Sequence, residues 1–315
     1  METPFRLDHA LLQRRLYHAA ERGIDDGSDF LAREIARRMD ERLDLIRIAP
    51  RRILDLGCGT GDDLARLGER YPNAERIGID IAPPFLARAL NRLAPRQNRL
   101  WRLFRKKSPP IQLASADALR LPLAEASVSL IWANLTLPFV DNPLRLFQEM
   151  HRVIQTDGLV MFTTFGPDTL RELREILPTH TGERVHRFTD MHDLGDTLIA
   201  AGFANPVLDM EIMTLTYSNP NKLFADLRSN AANNASLARP RGLTGRKAWE
   251  TALARFEQTR LENALPITVE LIQGHAWKPA PQQKPHETPT EHTPIWYASK
   301  NETHTKPVTP SNTKA

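Results

Sequence analysis

Asp55-Leu56-Gly57-Cys58-Gly59-Thr60-Gly61 joins an acid to three alternating glycines, and a second acid, Asp80, follows nineteen residues after Gly61. Glycines permit a tight turn and let backbone approach a ligand where a Cβ would clash. The lead-in Arg52-Ile53-Leu54 reads as a short buried strand. After the turn, Asp62-Asp63-Leu64-Ala65-Arg66-Leu67 has helical spacing with acids in its first turn. Strand, glycine turn and helix make the first βα unit of a doubly wound sheet, where ligands bind at the carboxyl ends of the strands. Two further segments end in acids: Arg76-Ile77-Gly78-Ile79-Asp80, and Ile111 to Ala118, which carries Asp117.

The spacing G-x-G-x-G differs from the dinucleotide fingerprint G-x-G-x-x-G, whose helix N-terminus is open to a pyrophosphate. Asp55, Asp62 and Asp63 would repel a pyrophosphate. They suit a ligand carrying an ammonium and a sulfonium, which is S-adenosylmethionine. Asp80 is placed to accept the ribose hydroxyls, and Asp117 to take the adenine amino group. The expected cofactor-binding set is Asp55, Leu56, Gly57, Gly59, Gly61, Asp80, Ile81, Ala116, Asp117, Ala118 and Asn134. A glycine turn that merely packs a helix on a sheet would not explain Asp80 and Asp117, although either alone could be a cap.

The elements that must position these residues follow from periodicity. Two leading helices are expected, about 6–21 and 29–45, the second with Phe30, Leu31, Ile35, Met39 and Leu43 at helical spacing. Strands are expected near 52–56, 76–80, 111–115, 128–132 and 158–164, with helices between them. Their alternation implies parallel pairing. Helices are read at 143–153, with Pro143 in the first turn, and at 192–201, closed by Gly202. A sixth strand covers about 206–217 and a seventh 268–275, bounded by Pro266 and Pro279, with a helical insertion at about 221–259 between them. The expected organisation is a helical cover (1–50), a cofactor-binding core (51–220), the insertion (221–262), the last strand (263–278) and a disordered tail (279–315) rich in Pro, Thr, Lys, Gln and His. The histidines of the tail, His286, His292 and His304, are too scattered for a metal site, and no metal is expected.

At 315 residues the chain can bury a sizeable core. Its single cysteine, Cys58, excludes an intrachain disulfide framework and reads as a small buried residue in the glycine turn. The N-terminus lacks a secretory pattern, and no stretch approaches the ~20 apolar residues of a membrane span; a cytoplasmic location is expected. The net charge of +4 is mild. The cluster from Arg96 to Lys107 suits a nucleic acid, the acidic surface of a carrier protein, or plain solvation.

Several longer stretches narrow the reading: Asp29 to Met39; Thr163-Thr164-Phe165-Gly166-Pro167-Asp168-Thr169-Leu170-Arg171-Glu172-Leu173; His186-Arg187-Phe188-Thr189-Asp190-Met191-His192-Asp193-Leu194-Gly195-Asp196; Arg241 to Arg246; and Gly274-His275-Ala276-Trp277. With them, over roughly residues 10–278, the chain resembles the class I methyltransferases, and among these the malonyl-[acyl-carrier protein] O-methyltransferases of biotin synthesis. The resemblance implies an α/β, doubly wound, seven-stranded Rossmann-like sheet whose last strand runs antiparallel, with N-terminal helices and a helical insertion before that strand. Two places depart from the family's pattern: Glu21 to Ser28 lacks an aromatic-Asp pair, and Asn134-Leu135-Thr136-Leu137 is followed by Pro138-Phe139.

The implied reaction methylates the free carboxylate of a malonyl group carried by acyl carrier protein or by coenzyme A. A carboxylate is ionised at neutral pH, so no general base is needed, and alignment and water exclusion should carry catalysis. A cation should meet the carboxylate. Arg171 is the expected residue, with Arg187 as second candidate; the bland reading of Arg171 is an exposed helical arginine paired with Glu175. Asn134 is expected to line the transfer channel and Trp132 to be core. His186 and His192 are either substrate contacts or structural. Arg228, Arg241, Arg246 and Trp249 either meet the carrier or pair on the surface. Three other readings stay open. An RNA methyltransferase is disfavoured by the absence of an Asn/Asp-Pro-Pro-aromatic loop after strand four. The others are an arginine-modifying relative of respiratory complexes and an assembly protein that keeps the cofactor without chemistry.

Overall fold

The computed structural model describes residues 6–22, 29–94, 109–177 and 182–280. Two helices lead, α1 (His9–Arg22) and α2 (Phe30–Arg42). The alternating part follows: β1 (Arg52–Leu56), α3 (Asp62–Arg70), β2 (Glu75–Asp80), α4 (Pro83–Leu93), β3 (Ile111–Ser115), β4 (Val128–Ala133), α5 (Pro143–Val153) and β5 (Ile154–Phe165). Then come α6 (Arg171–Ile176), α7 (Met191–Ala200), β6 (Ala204–Tyr217), α8 (Pro220–Ser229), α9 (Arg246–Gln258) and β7 (Leu265–Trp277).

The strands form one seven-stranded sheet in the order β3-β2-β1-β4-β5-β7-β6. β1 pairs in parallel with β2 and β4, and β7 runs antiparallel to both β5 and β6, as the resemblance implies. The order reverses between β1 and β4, which opens a crevice at their carboxyl ends.

Successive strand residues point to opposite faces, and both faces are covered. Leu54 and Ile131 join Phe147, Met150, Phe162 and Leu198 under α5 and α7. Ile53, Leu130 and Trp132 join Ala36 and Met39 of α2 and Leu67 of α3 on the other side. Burial of each large side chain contributes about 1.5–3 kcal/mol. A third cluster packs Leu173 and Ile176 of α6 against Leu223, Phe256 and Ile267.

Departures from the periodicity are local. α1 begins at His9, not near Arg6, because Leu7 forms a β-bridge with Ser236 and the Asp8 carboxylate accepts from the Leu11 N–H at 3.0 Å. α2 ends at Arg42, followed by a tight turn. The expected helical insertion is two helices, α8 and α9, joined by a loop over 230–245. β7 begins before Pro266, in a stretch where only β6 lies alongside, which an imino acid tolerates. The readings of 96–107, of the segment around Gly23 and of the tail from 281 lie outside the described residues.

Candidate functional site

The glycine turn closes β1 with φ of +76° at Gly57, +49° at Gly59 and +80° at Gly61. It is pinned to the neighbouring strand: Gly57 and Cys58 N–H donate to the Ile79 carbonyl at 2.7 and 3.1 Å. The Asp80 carboxylate accepts from Gly59 N–H at 3.0 Å and from Ala82 N–H at 2.8 Å. A Cβ on Gly57 would strike the Thr136 hydroxyl, which donates to the Leu56 carbonyl at 2.5 Å. Nothing lies within 4 Å of a Cβ position at Gly59, so the loop is open there toward a ligand.

Above the turn is a cleft of about 350 Å³, in the range of small-molecule sites. Leu56, Gly57, Gly59, Asp80, Ile81, Ala116, Asp117, Ala118 and Asn134 line it. Asp55 and Gly61 do not. Gly61 precedes α3 as its N-cap residue and lies against Leu93 and Ala89. Asp55 is buried behind the cleft, and its Oδ2 has no hydrogen-bond partner among the described residues. Asp117 is exposed two residues past the end of β3, with Oδ1 accepting from the Leu119 N–H at 2.9 Å.

Burial raises Asp55 well above the ordinary carboxylate range, and the neighbouring Asp63 and Asp80 raise it further. Burial also raises Asp63 and Asp80. Two buried acids, Asp55 with an unpartnered oxygen and Asp80, together with half-buried Asp63, fit a cationic ligand. The Cys58 thiol is pushed up by burial and by Asp55 and Asp80, which leaves it inert.

Asn134 is fully engaged. Its Nδ2 donates to Asp63 Oδ2 at 3.1 Å and to the Ala32 carbonyl at 3.0 Å, and its Oδ1 accepts from Thr163 at 2.8 Å. Trp132, buried in the core, donates through Nε1 to the same Asp63 oxygen at 2.9 Å. The helices α1 and α2 overhang the cleft through Leu12, Leu16, Ala32 and Arg33, and Ser229 and Asn230 close it at the end of α8.

A second cavity of about 210 Å³ adjoins the first and shares Leu12, Ala32, Leu135, Phe139 and Asn230 with it. Its wall is largely apolar, with Phe30, Leu31, Phe165, Leu170, Phe188 and Ile267. No arginine or lysine is among its described lining residues. Its titratable groups are His186, Tyr217 and Asp226. Burial lowers His186 to about 4, so the ring is neutral near pH 7, and it is held by the Pro138 carbonyl. Burial and the Asp226 carboxylate push the Tyr217 hydroxyl up. Leu135, Leu170 and Ala231 on this wall have positive φ of 53–60°, the kind of backbone strain that gathers at ligand sites.

The structure places Arg171 outside both cavities. Glu270 clamps the preceding turn: its Oε2 accepts from Asp168 N–H at 2.7 Å, its carbonyl accepts from Gly166 N–H at 2.9 Å, and its carboxylate fills the space of a Cβ on Gly166. Leu170, at φ +60°, then turns into the second cavity. Arg171 starts α6 half-exposed, near Asp168 and Glu172, and lines neither cavity. Arg187 pairs with Glu183 at 2.6 Å on the surface, and His192 is an exposed residue bonded to Asp190 at the start of α7. Sequence reasoning missed the anchoring role of Asp63 and the cavity residues Tyr217 and Asp226. The sequence showed Asp63 as an acid in the first helical turn suited to a cationic ligand, but not its bonds to Asn134 and Trp132.

Among the described residues no His/Cys/Asp/Glu cluster could hold a metal ion, and no helix is long and apolar enough to cross a membrane. Residues 54–162 match the family model described as Methyltransferase domain. A malonyl-[acyl-carrier protein] O-methyltransferase of Nitrosospira multiformis is 41% identical over 289 residues, covering 89% of this chain and 94% of its own. One of Laribacter hongkongensis is 44% identical over 256 residues, covering 81% and 85%. Among solved structures, the YcgJ protein of Bacillus subtilis superposes with a TM-score of 0.51 at 13% identity, over 77% of this chain and 98% of its own. A protein of Bacillus halodurans C-125 gives 0.52 at 15%, over 77% and 99%. These two similarities concern the fold alone.

Proposed function

The chain belongs to the malonyl-[acyl-carrier protein] O-methyltransferase family, and from that premise we propose that it methylates the free carboxylate of a malonyl group on acyl carrier protein, an early step of biotin synthesis, using S-adenosylmethionine. The observation that carries this reading is the pairing of an acid-lined cleft with a largely apolar cavity beside it that holds no lysine or arginine among its described lining residues.

Leu56, Gly57, Gly59, Asp80, Ile81, Ala116, Asp117, Ala118 and Asn134 line the proposed cofactor site, and Asp55 and Gly61 stand behind it. Asp55 and Asp63 would answer the ammonium of the amino-acid end, Asp80 a ribose, and Asp117 an adenine edge. When bound, S-adenosylmethionine supplies an electrophilic methyl on a positively charged sulfur.

The chain's own part is positioning and exclusion of water. A malonyl carboxylate is ionised at neutral pH, and neutral His186 is not required as a base. In the second cavity that carboxylate loses water without gaining a fixed cation from the described lining residues. Ground-state desolvation of this kind favours a reaction whose products are neutral. Asn134 keeps α2 and α3 in register over the site, acting as a positioning residue.

The test is transfer of a methyl group to purified malonyl-acyl carrier protein, read by mass spectrometry. Acetyl-acyl carrier protein, which lacks a free carboxylate, is the control. A one-methyl gain on the malonyl form alone supports the reading, and equal or absent labelling of both overturns it.

A further inference from the structure

The surface over the second cavity is basic and contains exposed leucines. Its two strips are the segment from Arg6 to Arg15 and the loop over 233–245. They are laced together: Leu237 N–H donates to the Arg6 carbonyl at 2.9 Å, Asp8 N–H to the Ala235 carbonyl at 2.8 Å, and Arg15 to the carbonyls of Asn233 and Asn234 at 2.8 Å each. Arg239 reaches Asp8 at 2.8 Å. Burial lowers Arg15, and the positive charges of Arg239 and Arg14 lower it further, so like charges crowd here. Arg184 holds the far side through the Thr244 hydroxyl at 2.6 Å.

Arg6, Arg14 and Arg241 stand exposed on these strips. Asp8 is neutralised by Arg239, and Glu183 by Arg187. Between the cations lie Leu237, 44% exposed, and Leu243, fully exposed. The same strips supply Leu7, Leu12 and Ala235 to the cavity wall. The patch is therefore the outside of the wall whose inside faces the proposed substrate space.

We propose that this patch docks an acidic carrier protein, so that its acyl arm enters the second cavity from that side; the inference rests on the reading given under Proposed function. Exposed arginines interleaved with leucines suit a folded acidic partner, because interfaces combine an apolar centre with a charged rim and complementary charge steers association. A nucleotide carrier would use the arginines and leave Leu243 unused.

The test compares the full-length wild type with the Arg14→Glu/Arg241→Glu double variant and with Leu243→Asp. Each is assayed on malonyl-acyl carrier protein, malonyl-coenzyme A and malonyl-pantetheine, after thermal melting has established folding. The expected result is a drop of about tenfold or more in kcat/KM on the carrier protein for both variants, with flattened salt dependence for the charge-reversed one. Malonyl-pantetheine, which carries neither protein nor nucleotide, should react unchanged. The proposal is overturned if carrier-protein turnover stays within about twofold of wild type, or if pantetheine turnover falls equally. It is also overturned if only the coenzyme A reaction responds, and then only to charge reversal. If the wild type methylates none of the three substrates, the functional reading itself fails. If it methylates them and the variants do not differ, only the docking surface fails.

Discussion

Asn134 donates a 3.1 Å hydrogen bond to the carboxylate of Asp63, seventy-one positions away in the chain, and so ties the end of β4 to the first turn of α3. The same amide donates to the Ala32 carbonyl of α2. One side chain thus joins the sheet, α3 and the overlying α2.

Replacing Asn134 by Ala should therefore cost more than its size suggests. The Ala32 carbonyl loses a donor, and Asp63, already raised by burial, keeps the Trp132 hydrogen bond and the charge of Arg66 in its favour. The expected destabilisation is about 1–3 kcal/mol in urea unfolding. A fall in kcat of about tenfold or more should accompany it, through lost alignment. A kcat unchanged beside a normal cofactor affinity would remove Asn134 from the positioning role.

Asp55→Asn should separate binding from stability. The folded chain without ligand holds protons on Asp55, Asp63 and Asp80 more tightly than the unfolded chain does, because burial raises all three. Their contribution to stability is thus least unfavourable near and below pH ~4 and worsens as pH rises through their raised values. The variant should bind S-adenosylmethionine about 10- to 100-fold more weakly by calorimetry. Relative to wild type its ligand-free melting temperature should be higher at pH 8 than at pH 5. An equal difference at both pH values would show that Asp55 carries no raised pKa.

Gly57→Ala faces two obstacles that a second substitution can part. The backbone sits at φ +76°, and the new methyl would meet the Thr136 hydroxyl. Left-handed backbone costs a non-glycine residue about 1–2 kcal/mol. Gly57→Ala should thus lose stability and cofactor affinity together, and adding Thr136→Ala should restore only the steric part. Full recovery in the double variant, followed by urea unfolding, would mean that φ is not limiting there.

Arg171→Ala should leave kcat/KM within about threefold and stability within about 0.5 kcal/mol of wild type, as for an ordinary surface residue. The basis is its half-exposed position outside both cavities. A loss of a hundredfold, measured with the malonyl substrate, would bring this arginine back to the carboxylate.

What the sequence by itself determined is what depends on neighbours within a few positions. Alternating glycines after an apolar run and acids near the ends of the first three strands are short-range chemistry, so the glycine turn, the acids that gather near it and the βα order were legible in it. The left-handed cap at Gly202, at φ +96°, is of the same kind. The tertiary structure alone decided the adjoining cavity. The second cavity draws Leu12, Leu135, Leu170, Tyr217 and Val269 from segments scattered over the chain, and no periodicity records which of them meet. Arg171 and Leu170 are adjacent in sequence, yet Glu270, about a hundred residues away, fixes the turn that sends the leucine inward and leaves the arginine outside. Side-chain direction at a strained turn is set by such a distant clamp, and the local residues cannot announce it.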